Sequence, residues 1–159
     1  MMSRAMFMSL AAALCLAACA SAPAQPSQQN VTQIVSTTSF GMCVGYCTTR
    51  LEISQGRAVL IRQARGGRGA PQNLPDQRYA TVLTPEEWDA FESLAANTDL
   101  SALPDTIGCP DCADGGAEAL TITGEGSRTV AFEFGAAIPQ AAPLLERVRA
   151  LRARLTPAE

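Results

Sequence analysis

Histidine is absent from the 159 residues, and so is lysine: all 12 cationic side chains are arginine. Without an imidazole there is no Ser-His-Asp triad, no Cys-His pair, no His-Glu-x-x-His zinc site and no Cys/His finger. Charge is sparse at 17%, and the formal net charge of −3 argues against nucleic acid as the main partner. Aromatic residues make up only 5%, and Trp88 and Phe91 lie on a helical stripe that reads as core rather than as a stacking platform. No repeat of 20–50 residues is visible. What is present is 47% apolar composition and a length of about one domain, enough to support a packed core.

The chain opens with a leader. Arg4 is followed by 14 uncharged residues, Ala5 to Ala18. A run this short falls below the roughly 17–25 residues of a spanning helix but suits the apolar region of a signal peptide. It ends in Leu16-Ala17-Ala18-Cys19. This resembles the lipobox of bacterial lipoproteins, in which small residues precede a cysteine that is acylated before cleavage. The resemblance implies a signal peptide over 1–18 and lipidation at Cys19. An ordinary secretory cleavage at an Ala-x-Ala site is the alternative. Two or three acyl chains would anchor stably, at ~0.8 kcal/mol per buried CH₂. Ala20 rather than Asp follows the cysteine; in lipoproteins that implies transfer to the outer membrane, facing the periplasm. The stretch 19–30, small, polar and proline-containing, reads as a tether reaching roughly 20 Å.

The remainder, 31–155, reads as one α+β domain: an antiparallel sheet with two helices packed on one face. Val31 to Thr37 is β-rich, and Arg50 to Ser54 with Arg57 to Arg62 form a hairpin about Gln55-Gly56. A Gly-, Pro- and Arg-rich loop over 63–77 precedes a short strand, Tyr79 to Leu83. Thr84-Pro85-Glu86-Glu87 is a capping box with proline at the first helical position, predicting a helix to about Ala96 that buries Trp88, Phe91, Leu94 and Ala95. Leu100 to Pro104 reads as a connector. Alternation over Ala117 to Gly124 and Ser127 to Phe134 predicts a second hairpin. A last helix from Pro143 places Leu144, Val148, Leu151 and Leu155 on one stripe, with Arg147, Arg149, Arg152 and Arg154 on a solvated outer face. The order β-β-β-β-α-β-β-α does not alternate regularly, which argues against a doubly wound sheet.

Cys15 leaves with the leader, so four cysteines remain beyond Cys19: Cys43 and Cys47 in Cys-Val-Gly-Tyr-Cys, and Cys109 and Cys112 in Cys-Pro-Asp-Cys. An even number in an exported domain points first to two disulfides, with three possible pairings. Nearness in sequence favours the local pairs, whereas loop entropy favours a cross-link such as Cys43 to Cys109. A Cys₄ metal site is an alternative allowed by the spacing. Redox activity at Cys109 and Cys112 is another. It is disfavoured because Gly115-Gly116 leads into a strand rather than a helix, and because Asp111 and Asp114 oppose a thiolate.

Other candidates are weaker. Asp105, Asp111, Asp114 and Glu118 cluster along the chain, but the register of a calcium loop is missing. Glu52, Glu118 and Glu133 fall on strands, with no spacing that singles out an acid/base pair. Arg65-Gly66-Gly67-Arg68-Gly69 lacks the Lys-Ser/Thr of a phosphate loop, although with Arg62 and Arg78 it could meet anionic lipid or cell-wall polymer. Phe40-Gly41-Met42-Cys43-Val44-Gly45-Tyr46-Cys47, Leu83-Thr84-Pro85-Glu86-Glu87 and Leu103-Pro104-Asp105 together resemble a loose group of bacterial envelope lipoproteins. That group has no assigned activity, so it implies no catalytic residues. The expectation is a non-enzymatic envelope lipoprotein, with no cofactor and no catalytic residue. It would be held to a membrane through Cys19 and would bind another envelope protein or the cell wall. A thiol-redox or metal-binding periplasmic protein is the alternative.

Overall fold

The computed structural model describes residues 30–65 and 74–158. The leader, Cys19 and nearly all of the tether lie outside the described residues, as does the arginine-glycine loop beyond Arg65. Seven strands and two helices follow one another: β1 (Gln33–Ser39), β2 (Gly45–Ser54), β3 (Arg57–Arg65), β4 (Gln77–Val82), α1 (Pro85–Ala96), β5 (Thr106–Ile107), β6 (Ala117–Thr123), β7 (Ser127–Glu133) and α2 (Ala142–Leu155). The fold is α+β. One sheet carries the strands in the order β4-β3-β2-β1-β6-β7-β5.

The sheet is mixed, not wholly antiparallel as the sequence suggested. β5 pairs in parallel with β7, through Thr106 beside Ala131 and Ile107 beside Phe132, while the other five pairings are antiparallel. A two-residue strand has no measurable period, so alternation could not reveal it. β2 also begins at Gly45, five residues before the expected hairpin start at Arg50, and β3 and β4 narrow the expected 63–77 loop from both sides.

Alternation sets the buried face. In β6, Glu118, Leu120 and Ile122 are buried while their neighbours are half-exposed. Register places Ile34 beside Ile53 and Ile122, and Ser36 beside Leu51 and Leu120. Ile34, Leu51, Leu60, Leu120, Val130 and Phe132 share one buried cluster with Trp88 and Phe91 of α1 and with Leu144 and Val148 of α2. Each large apolar side chain so buried contributes on the order of 1.5–3 kcal/mol.

The start of α1 follows the sequence signal. The Glu87 amide donates to Thr84 Oγ1 at 3.2 Å, and the Thr84 amide donates to Glu87 Oε2 at 3.0 Å. Trp88, Phe91 and Ala95 are buried as expected, with Leu94 partly buried against them. On α2, Leu145 joins the expected Leu144, Val148 and Leu151 in the core. Among the described residues no helix is long and apolar enough to cross a membrane.

Candidate functional site

The direction of β1 divides the domain into two ends. Its first residue, Gln33, lies beside Ser54 and Thr123; its last, Ser39, lies beside Thr48 and Ala117. The N-terminal segment therefore joins at one end, and the Cys43–Cys47 loop leaves from the other. β6 starts and β7 finishes at that same far end, which brings the Cys109–Cys112 loop there too. At ~3.3 Å per residue, β1 separates the two ends by roughly 20 Å.

The four cysteines form two local disulfides. Cys43–Cys47 and Cys109–Cys112 have Cα–Cα separations of 5.4 and 5.5 Å, inside the usual range. The first bridge is half built into the sheet. Pairing of β2 with β3 slips between Tyr46 and Thr48, so Cys47 is a bulge residue; it is only 2% exposed, and its carbonyl accepts from the Phe40 amide at 3.1 Å. The second bridge stands outside the sheet, with Cys109 and Cys112 both exposed. With each pair closed inside its own loop, the four sulfurs are not gathered as one tetrahedral ligand set. Among the described residues no group of three or more Cys, Asp or Glu could hold a metal ion.

The two loops are tied together. The Gly41 amide donates to Asp111 Oδ1 at 3.1 Å, across 70 residues of chain. The Phe40 ring meets the Phe134 ring edge-on at 4.9 Å between centroids. Gly116 makes room for it: its φ is +82°, and a Cβ there would fall 2.4 Å from the Phe40 ring. The Asp111 and Phe134 amides both donate to the Gly116 carbonyl, and the Cys109 amide donates to Glu133 Oε1 at 3.1 Å. This end presents Met42, Val44 and Phe134 to solvent at 80%, 66% and 47% exposure. The tip is apolar, with the carboxylates of Asp111 and Glu133 beside it.

The acidic residues singled out along the chain separate in space. Asp105 pairs with Arg128; Asp111 serves Gly41; Asp114 is exposed. Glu52 pairs with Arg50 at 2.7 Å on the opposite sheet face from Glu118. Glu118 is buried at 1% exposure beneath two arginines. Arg149 Nη2 and Nε donate to its Oε2 at 2.7 and 3.0 Å, and Arg152 Nη2 donates to its Oε1 at 2.9 Å. Arg152 Nη2 also donates to the buried Ser36 hydroxyl, and Arg149 Nη2 to the Ala136 carbonyl at 2.9 Å. Burial pushes the Glu118 pKa up, but the hydrogen bonds and charges of Arg149 and Arg152 outweigh it and hold the carboxyl below its ordinary value.

The expectation of four solvated arginines on α2 is thus corrected for Arg149 and Arg152, while Arg147 and Arg154 are exposed as expected. Arg149 and Arg152 turn to the sheet because a carboxylate waits there, and an unpaired buried charge would be costly. Arg154 reaches Glu87 at 3.4 Å, and Arg147 lies over the Phe91 ring at 5.0 Å. The missed signal was the parity of Glu118, which falls in step with Leu120 and Ile122 on the inward side of β6. At the opposite end of the sheet a cleft of about 490 Å³ opens between Val31, Leu100, Gly124 and Arg128. Arg128 is engaged there by the Leu100 and Leu103 carbonyls and by Asp105. Arg65 is the described end of the arginine-glycine loop; it pairs with Gly45, so that loop also leaves from the cysteine end.

A scan against protein-family models finds no match for this chain, and a search of curated proteins finds none either.

Proposed function

We propose that this protein is a bacterial envelope lipoprotein, acylated at Cys19 and held to its membrane by the 19–30 tether, whose disulfide-held far end binds another envelope component without catalysis. The observation that carries the reading is the placement of the two ends. The chain joins the domain at Gln33, and the exposed Met42, Val44 and Phe134 lie beyond Ser39 at the other end of the sheet. A domain tethered at one end would hold this apolar tip away from its own bilayer, toward a partner. The Leu-Ala-Ala-Cys sequence before Ala20 supports the anchor, and an outer-membrane position facing the periplasm follows from Ala20. The membership of one buried cluster supports a further reading, that both helices cover the same sheet face, since Arg149 and Arg152 of α2 reach Glu118 and Ser36 on that face.

The test is expression in a diderm bacterium, followed by fractionation and intact mass. Wild type is expected in the membrane fraction with acyl mass on the residue at position 19, and Cys19→Ser in the soluble fraction with its fold intact. A soluble, unacylated wild type refutes the anchor. A thiol-based reading of the same end is favoured by one specific observation, the exposure of both Cys109 and Cys112.

A further inference from the structure

We propose that Cys109–Cys112 is a thiol–disulfide exchange site for a dithiol reductant, and that its opening frees the Cys43–Cys47 loop from Asp111. This goes beyond membrane anchoring and does not depend on it. Three observations converge on it.

The first is access. An attacking thiolate must reach a sulfur, and exchange rates follow that access. Cys109 and Cys112 are both exposed, whereas in the other bridge Cys43 is half-buried and Cys47 is 2% exposed within β2. The two disulfides of one domain are therefore distinct chemical targets.

The second is the backbone. Asp111, Ala113 and Asp114 have φ of 60°, 50° and 59°. These are left-handed conformations that L-residues with a Cβ avoid, and alanine has no side-chain polar group to compensate. Such conformations persist only where their surroundings impose them. Here the bridge closes the turn, with the Cys112 amide donating to the Cys109 carbonyl at 3.1 Å. Opening the bridge removes that constraint and lets the turn relax to ordinary φ. The bridge is one of the constraints on this turn, beside the hydrogen bonds of Asp111 and Gly115, so the disulfide form carries more of the strain than the dithiol, which biases exchange toward the dithiol.

The third is coupling. Asp111 lies between the two cysteines, and its carboxylate holds the Gly41 amide at 3.1 Å. Gly41 sits between Phe40, whose ring meets Phe134 edge-on, and Met42, the most exposed apolar residue of the tip. When the turn relaxes, Asp111 leaves Gly41, and the base of the apolar loop is released.

The exchange balances. A thiolate of the reductant attacks one sulfur of the pair, the S–S bond breaks, and the other sulfur leaves as a thiolate that takes up a proton. The reductant's second thiolate then attacks the mixed disulfide. Cys109 and Cys112 end as thiols and the reductant as a disulfide, with two electrons transferred.

The experiment titrates the purified chain with dithiothreitol under native conditions. Free thiols are trapped with iodoacetamide and mapped by mass spectrometry, with circular dichroism and amide deuterium exchange in parallel. Cys109 and Cys112 are expected to be labelled at a reductant concentration at least about tenfold below that for Cys43 and Cys47, before any loss of fold. Gly41 amide exchange should accelerate at the same point, and the double variant Cys109→Ser/Cys112→Ser should reproduce it without reductant. Ala113→Gly relieves one left-handed residue without touching the Asp111–Gly41 bond, and should raise the reductant needed by about fivefold. Opening of both bridges only on unfolding, earlier opening of Cys43–Cys47, an unchanged midpoint in Ala113→Gly, or Gly41 exchange indifferent to reduction would each overturn the proposal.

Discussion

Replacing Glu118 by glutamine leaves two guanidinium groups facing a neutral amide. The carboxylate accepts three hydrogen bonds from Arg149 and Arg152, at 2.7, 3.0 and 2.9 Å, and its side chain is wholly inaccessible. Removing one partner of a buried ion pair costs about 3–5 kcal/mol, because the remaining charge stays desolvated. Arg149 is 32% accessible and Arg152 12%, so water partly screens the first and not the second. The lower end, about 3 kcal/mol, is the expected loss for Glu118→Gln. For a domain of this size that corresponds to roughly 10–15 °C in Tm. Urea unfolding at pH 7 measures it. The pH dependence supplies a second readout. The folded carboxyl lies below its unfolded value, so its contribution is fully present above the ordinary carboxylate pKa of about 4.3 and is lost as pH falls through the folded value. Wild type should therefore lose stability in acid more steeply than Glu118→Gln. The triple replacement Glu118→Leu/Arg149→Met/Arg152→Met should recover most of the loss, since a buried ion cluster and a packed apolar one are nearly equivalent. A cost below about 1 kcal/mol for Glu118→Gln, with parallel acid profiles, would refute the reasoning.

Thr84→Ala removes the hydroxyl that accepts from the Glu87 amide, and should cost about 1 kcal/mol in chemical denaturation. Gly116→Ala forces a side chain at φ +82° into the Phe40 ring; a loss of at least about 2 kcal/mol is expected, with the Phe40–Phe134 contact disrupted in nuclear Overhauser spectra. Cys43→Ser/Cys47→Ser opens a five-residue loop and should cost about 2 kcal/mol by loop-closure entropy, again read by urea unfolding.

Much of the architecture was legible before the structure. Leu120, Ile122, Val130 and Phe132 alternate, and the strands follow that period. Thr84 to Glu87 encode both halves of a capping box, and α1 begins there. Closeness in sequence favoured the local cysteine pairs that the structure shows, but loop entropy pointed to a cross-link, so the sequence left that choice open. What escaped was whatever depends on residues distant along the chain. The parallel strand Thr106–Ile107 exists because β7 offers it an edge. Arg149 and Arg152 read as surface charges on a helical wheel, yet 31 and 34 residues upstream a carboxylate on β6 draws them inward.

By itself, then, the sequence determined the local elements, the α+β class and the chemistry that the absence of histidine removes. Periodicity, capping and composition are short-range, and the chain carries them wherever it goes. Only the tertiary structure decided that β1 lies between β2 and β6, that both disulfide loops leave from the end opposite Gln33, and that Asp111 meets Gly41. Strand order is chosen by how apolar faces cover one another and by which buried charges find partners. Those energies come from residues brought together across the whole chain, and no local pattern contains them.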